Sequence, residues 1–215
     1  MKKGQFIVFE GMDGSGKSTA VQLMYEKLQE QDIPVQLVRI PGGTNVGEKL
    51  RSILLDGSSN LEPESEFLLM QATRIEAYKK VIKPAIDSGT WVICDRFCTS
   101  SYAYQYAAKG VSRSLISDLM GITTPASKID CNIYIRRPFD DIISYLNVKD
   151  KDHFESMNTD KLRLIYNEYE FQATDVYDTW VTINNNGNLN DLQNKINETY
   201  KLLQTVGIDY AGTVL

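Results

Sequence analysis

The chain has 215 residues, 42% of them apolar, which suits one α/β domain with a properly filled core. A net charge of −5 and a pI near 5.0 argue against a nucleic-acid or anionic-membrane partner, because both select a basic face. Three cysteines, Cys94, Cys98 and Cys131, leave an odd thiol and no Cys-x-x-Cys pair, so reduced thiols are expected instead of a disulfide framework or a zinc site. No apolar run is long enough to span a bilayer, and Met1-Lys2-Lys3 precedes too few apolar residues for a secretory leader. A cytoplasmic enzyme is the expectation.

A strand from Gln5 to Phe9 breaks into glycines, and Gly11 to Ser18 fits G-x-x-x-x-G-K-S/T at every fixed position. Glycines let successive backbone N–H groups turn inward around phosphate oxygens. The spacing therefore makes Gly11, Met12, Asp13, Gly14, Ser15, Gly16, Lys17, Ser18 and Thr19 a phosphate cradle, with Lys17 reaching the β/γ-phosphates and Ser18 offering its hydroxyl to Mg²⁺. The helix that follows, Lys17 to Gln31, turns its N-terminal dipole toward the same anion. This pattern predicts a protein that handles a nucleoside triphosphate.

Asp32-Ile33-Pro34 stops that helix, and Val35 to Val38 reads as a short strand of buried type. Arg39 closes it, before Ile40-Pro41-Gly42-Gly43-Thr44. In an open parallel sheet, ligands bind at the carboxyl ends of strands, so Arg39 either faces the nucleotide or is a solvated loop residue. A helix around Gly47 to Leu54 leads through a polar turn to a long helix from Glu62 to about Ile86. On it Phe67, Met70, Arg74, Ala77 and Tyr78 share one face. An arginine on an apolar face either snorkels past the core or enters a polar pocket.

The strand Thr90 to Cys94 ends in Asp95-Arg96-Phe97, again at the crevice edge. Asp95 either holds Mg²⁺ through water, orients Arg96, or forms a plain ion pair at the rim. A helix over Thr99 to Tyr106 is rich in hydroxyl and aromatic groups, as a base pocket or as half-buried packing. The strand Asn132 to Ile135 runs through Arg136-Arg137-Pro138 into another helix. The charged stretch Asn147 to His153 is a solvated face or a lid of the kind phosphate-transfer enzymes use, and His153 is expected in solvent. Helix Glu155 to Asp175, strand Trp180 to Ile183 and helix Leu189 to Leu203 complete five strands with helical crossovers. That is an α/β doubly wound sheet.

These motifs, in this order and spacing over about residues 5 to 183, resemble the thymidylate kinase family of P-loop nucleoside monophosphate kinases. The pieces are Phe9 to Thr19, Arg39 to Thr44, Val81-Ile82-Lys83-Pro84-Ala85, and Asp95-Arg96-Phe97 with Ser100, Ser101, Tyr104 and Gln105. The resemblance implies a single domain over residues 1–215 with a lid at about 144–155, a five-stranded parallel sheet flanked by helices, and a homodimer. It also implies Mg²⁺-dependent transfer of the γ-phosphoryl of ATP to dTMP, giving dTDP. Carried over by position, Asp13 sits at the acceptor's 3′-hydroxyl side, Arg39 and Arg96 clamp the acceptor phosphate, and Arg74 reads the thymine edge. Asp95 lies beside the clamp and near the metal, and Tyr104 and Gln105 line the sugar and base.

Three departures from the family pattern stand out. Ile40 replaces a glutamate found in many relatives, and Met70 replaces a phenylalanine that stacks on thymine. The lid carries no arginine, and relatives without a lid arginine place one in the P-loop, where this chain has Gly14. Lys149 and Lys151 are the expected substitutes. Two alternatives stand beside dTMP kinase: a kinase for a 5-substituted deoxyuridylate or another deoxynucleoside monophosphate, and a catalytically weak nucleotide-binding protein.

Overall fold

Strand β1 (Phe6–Glu10) is buried along its whole length, as an unbroken apolar run covered by helices on both faces requires. The computed structural model describes residues 4–123, 129–147, 157–174, 179–205 and 213–215. Along β1 the side chains alternate. Ile7 and Phe9 enter one core, while Phe6 and Val8 enter the other.

Among the described residues all strands are parallel, in the order β2 (Val35–Arg39), β3 (Trp91–Asp95), β1, β4 (Cys131–Arg136), β5 (Trp180–Asn184), β6 (Thr213–Val214). Helices α1 (Lys17–Glu30) and α9 (Leu189–Gln204) cover one face. The other face packs on α3 (Pro63–Ala77), a π-helical turn over Tyr78–Ile82, and α4 (Lys83–Asp87). Helices α7 (Phe139–Leu146) and α8 (Thr159–Gln172) close a third apolar cluster around Tyr134 and Trp180.

From β1 the chain passes to β2 and β3 on one side of the sheet, then crosses to β4 on the other. The loops on either side of β1 therefore diverge and open a crevice at the strands' carboxyl ends. Register brings the relevant ends together: Phe9 pairs with Asp95, and Asp95 with Arg39.

The structure corrects several expectations. A sixth strand, two residues long, joins β5, and it is too short to carry a periodic signal. Strand β2 is the sheet's edge and is largely exposed. The long helix divides into α3, the π-helical turn and α4, where Pro84 has no N–H to give the preceding turn. After α5 (Thr99–Ser101) the next segment, Tyr102–Ala107, is π-helical as well. Helix α6 (Arg113–Thr123) was not expected, and packs Ile116 and Met120 against Phe67. The region expected to form the lid falls largely on 148–156, outside the described residues, and with it Lys149 and Lys151.

Candidate active site

The P-loop leaves β1 with three glycines in backbone conformations that L side chains rarely adopt, Gly11 at φ 146°, Gly14 at φ 83° and Gly16 at φ 90°. A Cβ on Gly16 would lie 2.2 Å from Nδ2 of Asn185. That amide donates to the Ser15 carbonyl at 2.7 Å, so the turn after β5 pins the loop from below. The sequence alone gives Asn185 no role. Lys17 is nearly buried and ion-pairs through Nζ with Oδ1 of Asp95. Burial and the Arg96 charge lower its pKa, against the pull of Asp95 and Asp13.

Two cavities flank this loop. The first, of about 280 Å³, is lined by Asp13, Lys17, Ser18, Arg39, Met70, Asp95, Arg96, Ser100 and Tyr104, all expected site residues. Ile40 and Pro41 after β2, with Arg51 and Leu55 from α2 (Asn45–Leu55), complete it. Arg51, which sequence reading missed, donates to the Pro41 carbonyl at 3.0 Å and shapes the turn after β2. The second cavity, of about 300 Å³, is lined by Met12, Asp13, Gly14, Gly16, Lys17, Ser18 and Thr19, with Arg137 and Tyr145.

Arg96 joins the wall of the first cavity to the P-loop. Its backbone is left-handed, at φ 67°, a conformation that costs a non-glycine residue about 1–3 kcal/mol and persists when its surroundings hold it. Here they do. Its guanidinium donates to Asp13 Oδ1 at 2.7 Å, Tyr169 Oη at 2.8 Å and Ser100 Oγ at 3.2 Å, and lies 5.2 Å over the Tyr104 ring. Burial raises the pKa of Asp13, but the charges of Arg96 and Lys17 and hydrogen bonds from Arg96 and Tyr104 overcome it and hold the carboxyl below its usual value.

Glu10, the last residue of β1, is a further group without a sequence signal. It is fully buried, and accepts from the Phe97 N–H at 2.8 Å and from Ser100 Oγ at 2.6 Å. It ties the central strand to the start of α5, where Arg96 and Ser100 are set.

Arg74, Ser101 and Gln105 stand behind the cavity wall and do not line it. Arg74 is fully buried, bonds Gln71, and donates to the Phe97 carbonyl at 2.6 Å and to Ser101 Oγ at 2.9 Å. Gln105 donates to Glu66 Oε1 at 2.9 Å. Three buried atoms in this layer, Arg74 Nε, Gln71 Nε2 and Gln105 Oε1, have no hydrogen-bond partner among the described residues.

Comparison with known proteins agrees with this geometry. The thymidylate kinase family model matches residues 9–196. The thymidylate kinase of Legionella pneumophila (strain Paris) is 33% identical over 205 residues, 94% of this chain and 93% of that protein. That of Nitrosomonas europaea is 43% identical over 138 residues, an alignment spanning 64% of each chain. A crystal structure of thymidylate kinase from Ehrlichia chaffeensis superposes with a TM-score of 0.75 at 30% identity, covering 94% of this chain and 100% of that one.

Proposed function

The chain belongs to the thymidylate kinase family, whose reaction is phosphoryl transfer to dTMP with ATP as co-substrate, and we propose that it moves the γ-phosphoryl of ATP onto dTMP to give dTDP. One observation carries this reading. Asp13, Lys17 and Ser18 line both cavities, so a donor in the P-loop cavity and an acceptor in the other meet across a shared wall of charged groups. The attacking atom is an oxygen of the dTMP phosphate, already ionised at neutral pH, so no general base is needed. Positioning and charge neutralisation are what the protein supplies.

The donor set fits Mg²⁺, which takes hard oxygen ligands and usually one or two carboxylates beside substrate phosphates. Ser18 and Asp95 would hold it, and bound there it would neutralise charge on the donor's phosphates. Lys17 would exchange Asp95 for a phosphate oxygen, which frees that carboxylate. Arg39 and Arg96 would hold the acceptor phosphate, with the planar fork suited to it. Met70 lines the same cavity, so the base would meet it there, with Arg74 and Gln105 behind that wall.

Self-association is part of the same reading, supported by exposed apolar residues on α2, α3 and α6. So is a cytoplasmic setting, supported by Cys94, Cys98 and Cys131 being free thiols. Among the described residues no helix is long and apolar enough to cross a membrane.

The test is ADP formation with ATP and Mg²⁺ against dTMP, dUMP, 5-substituted dUMP, dCMP and dGMP. The expected result is the highest kcat/KM on dTMP. Equal turnover of dTMP and dCMP, or no ADP with any acceptor, would overturn the assignment.

A further inference from the structure

The sequence carries adjacent arginines where β4 meets α7, and the structure sends them to different work. Arg136 is neutralised by Glu170, with Nε at 2.9 Å and Nη2 at 2.6 Å from its two carboxylate oxygens. Arg137 turns the other way, into the wall of the P-loop cavity. Its Nη1 donates to the Gly14 carbonyl at 3.3 Å, and among the described residues the carboxylate it pairs with, Asp141, is 3.9 Å from Nε, beyond hydrogen-bond reach. That Nε is buried and has no hydrogen-bond partner among the described residues.

Among the described residues lining this cavity, the cations are Lys17 and Arg137. Lys17 is engaged with Asp95, whereas among the described residues the charge of Arg137 is only distantly met. Its mounting is also stiff: β4 lies inside the sheet, and Pro138 fixes the backbone where α7 begins.

We propose that Arg137 supplies the guanidinium that meets the β- and γ-phosphates of the donor during transfer. In this step an oxygen of the dTMP phosphate bonds to the γ-phosphorus. The bond from that phosphorus to the β–γ bridging oxygen breaks, and its electron pair stays on the β-phosphate of ADP. Arg137 gives up no proton and neutralises the charge that grows on these oxygens, a task worth about 10³–10⁵ in rate where an arginine performs it in other P-loop enzymes. A chain whose segment 144–155 contains no arginine thus holds one on a rigid junction. This inference rests on the kinase reading above.

The experiment compares wild type with Arg137→Ala, Arg137→Gln and Arg137→Lys. Single-turnover transfer from ATP to dTMP and the affinities for ATP and ADP are measured on each. Glutamine keeps a neutral donor for the Gly14 carbonyl, so it separates propping of the loop from the work of the guanidinium. Both Ala and Gln are expected to slow transfer at least about 100-fold and to weaken ATP more than ADP, with Lys recovering part of each loss. Wild-type rates and an unchanged ATP-to-ADP affinity ratio in Arg137→Gln would overturn the proposal. If wild type binds ATP and transfers nothing to dTMP, the kinase reading fails by itself, and the affinity ratio still decides for or against Arg137.

Discussion

Arg39 and Arg96 reach the same cavity but are held in opposite ways, and that difference separates binding from stability. Arg39 is half exposed, with a 3.4 Å ion pair to Glu48, an interaction worth about 0–1 kcal/mol at a surface. Arg39→Ala should therefore raise the KM for dTMP about tenfold or more, for a lost charged contact, with melting temperature and ATP affinity unchanged. Arg96→Ala should raise that KM too and also lower stability by about 2 kcal/mol, because it strips Asp13, Ser100 and Tyr169 of a shared charged donor. Steady-state kinetics beside thermal unfolding tests both, and a collapse of ATP affinity in either variant would reverse the assignment of the two cavities. Asp13 adds a pH signature. Its folded pKa lies below the 3.8 of a free carboxyl, so its stabilisation is fully present above about pH 4 and fades as pH falls through the folded value. The stability gap between wild type and Asp13→Asn should stay constant above that pH and narrow below it, as read from urea unfolding at stepped pH.

At the level of elements, the acceptor wall hangs from β1 through one carboxylate. Glu10 accepts two backbone N–H groups and the Ser100 hydroxyl at the start of α5. Glu10→Ala should lower stability by about 2–3 kcal/mol, and Glu10→Gln should recover part of it by keeping one carbonyl acceptor. Equal unfolding midpoints for the two variants would show that the carboxylate is not the anchor. The P-loop was legible in the sequence because its geometry demands glycine at particular positions, and the ends of β2 and β3 were legible because charge interrupts apolar runs there. Glu10 was not, since it reads as the residue that follows a strand and its partners lie 87 to 159 residues away. Asn185 and Arg137 escaped for the same reason, with partners 170 and 123 residues away, and Arg51 escaped because an arginine on a helix reads as solvated until the turn after β2 folds back to it. The π-helical turns over Tyr78–Ile82 and Tyr102–Ala107 escaped because their apolar spacing still fits an α-helix. Helix α6 did offer a signal, Ile116 and Met120 one turn apart, whereas two-residue β6 offered none.

For the molecule as a whole, two helices that line the first cavity, α2 and α3, and α6 beside them also present apolar groups to solvent. Ile53 on α2, Leu68 on α3 and Ile122 on α6 are 42%, 53% and 79% exposed, and these three helices pack in series, α2 on α3 and α3 on α6. Single exposed apolar residues need no explanation, but large ones on three adjoining elements suit burial against a second copy. Such an interface would reach the site directly, because α2 carries Arg51 and Leu55 into the cavity wall. Assembly would then brace the acceptor side without touching the P-loop, which is mounted on β1 and α1. Sedimentation velocity should give a particle of twice the 24.3 kDa chain. Leu68→Glu paired with Ile122→Glu should return it to one chain, since each places a charge that burial would strand. In the dissociated variant the KM for dTMP should rise while the affinity for ATP holds. A wild-type chain that sediments as a monomer would remove the interface, and a dissociated variant with both constants unchanged would show that assembly does not brace the site.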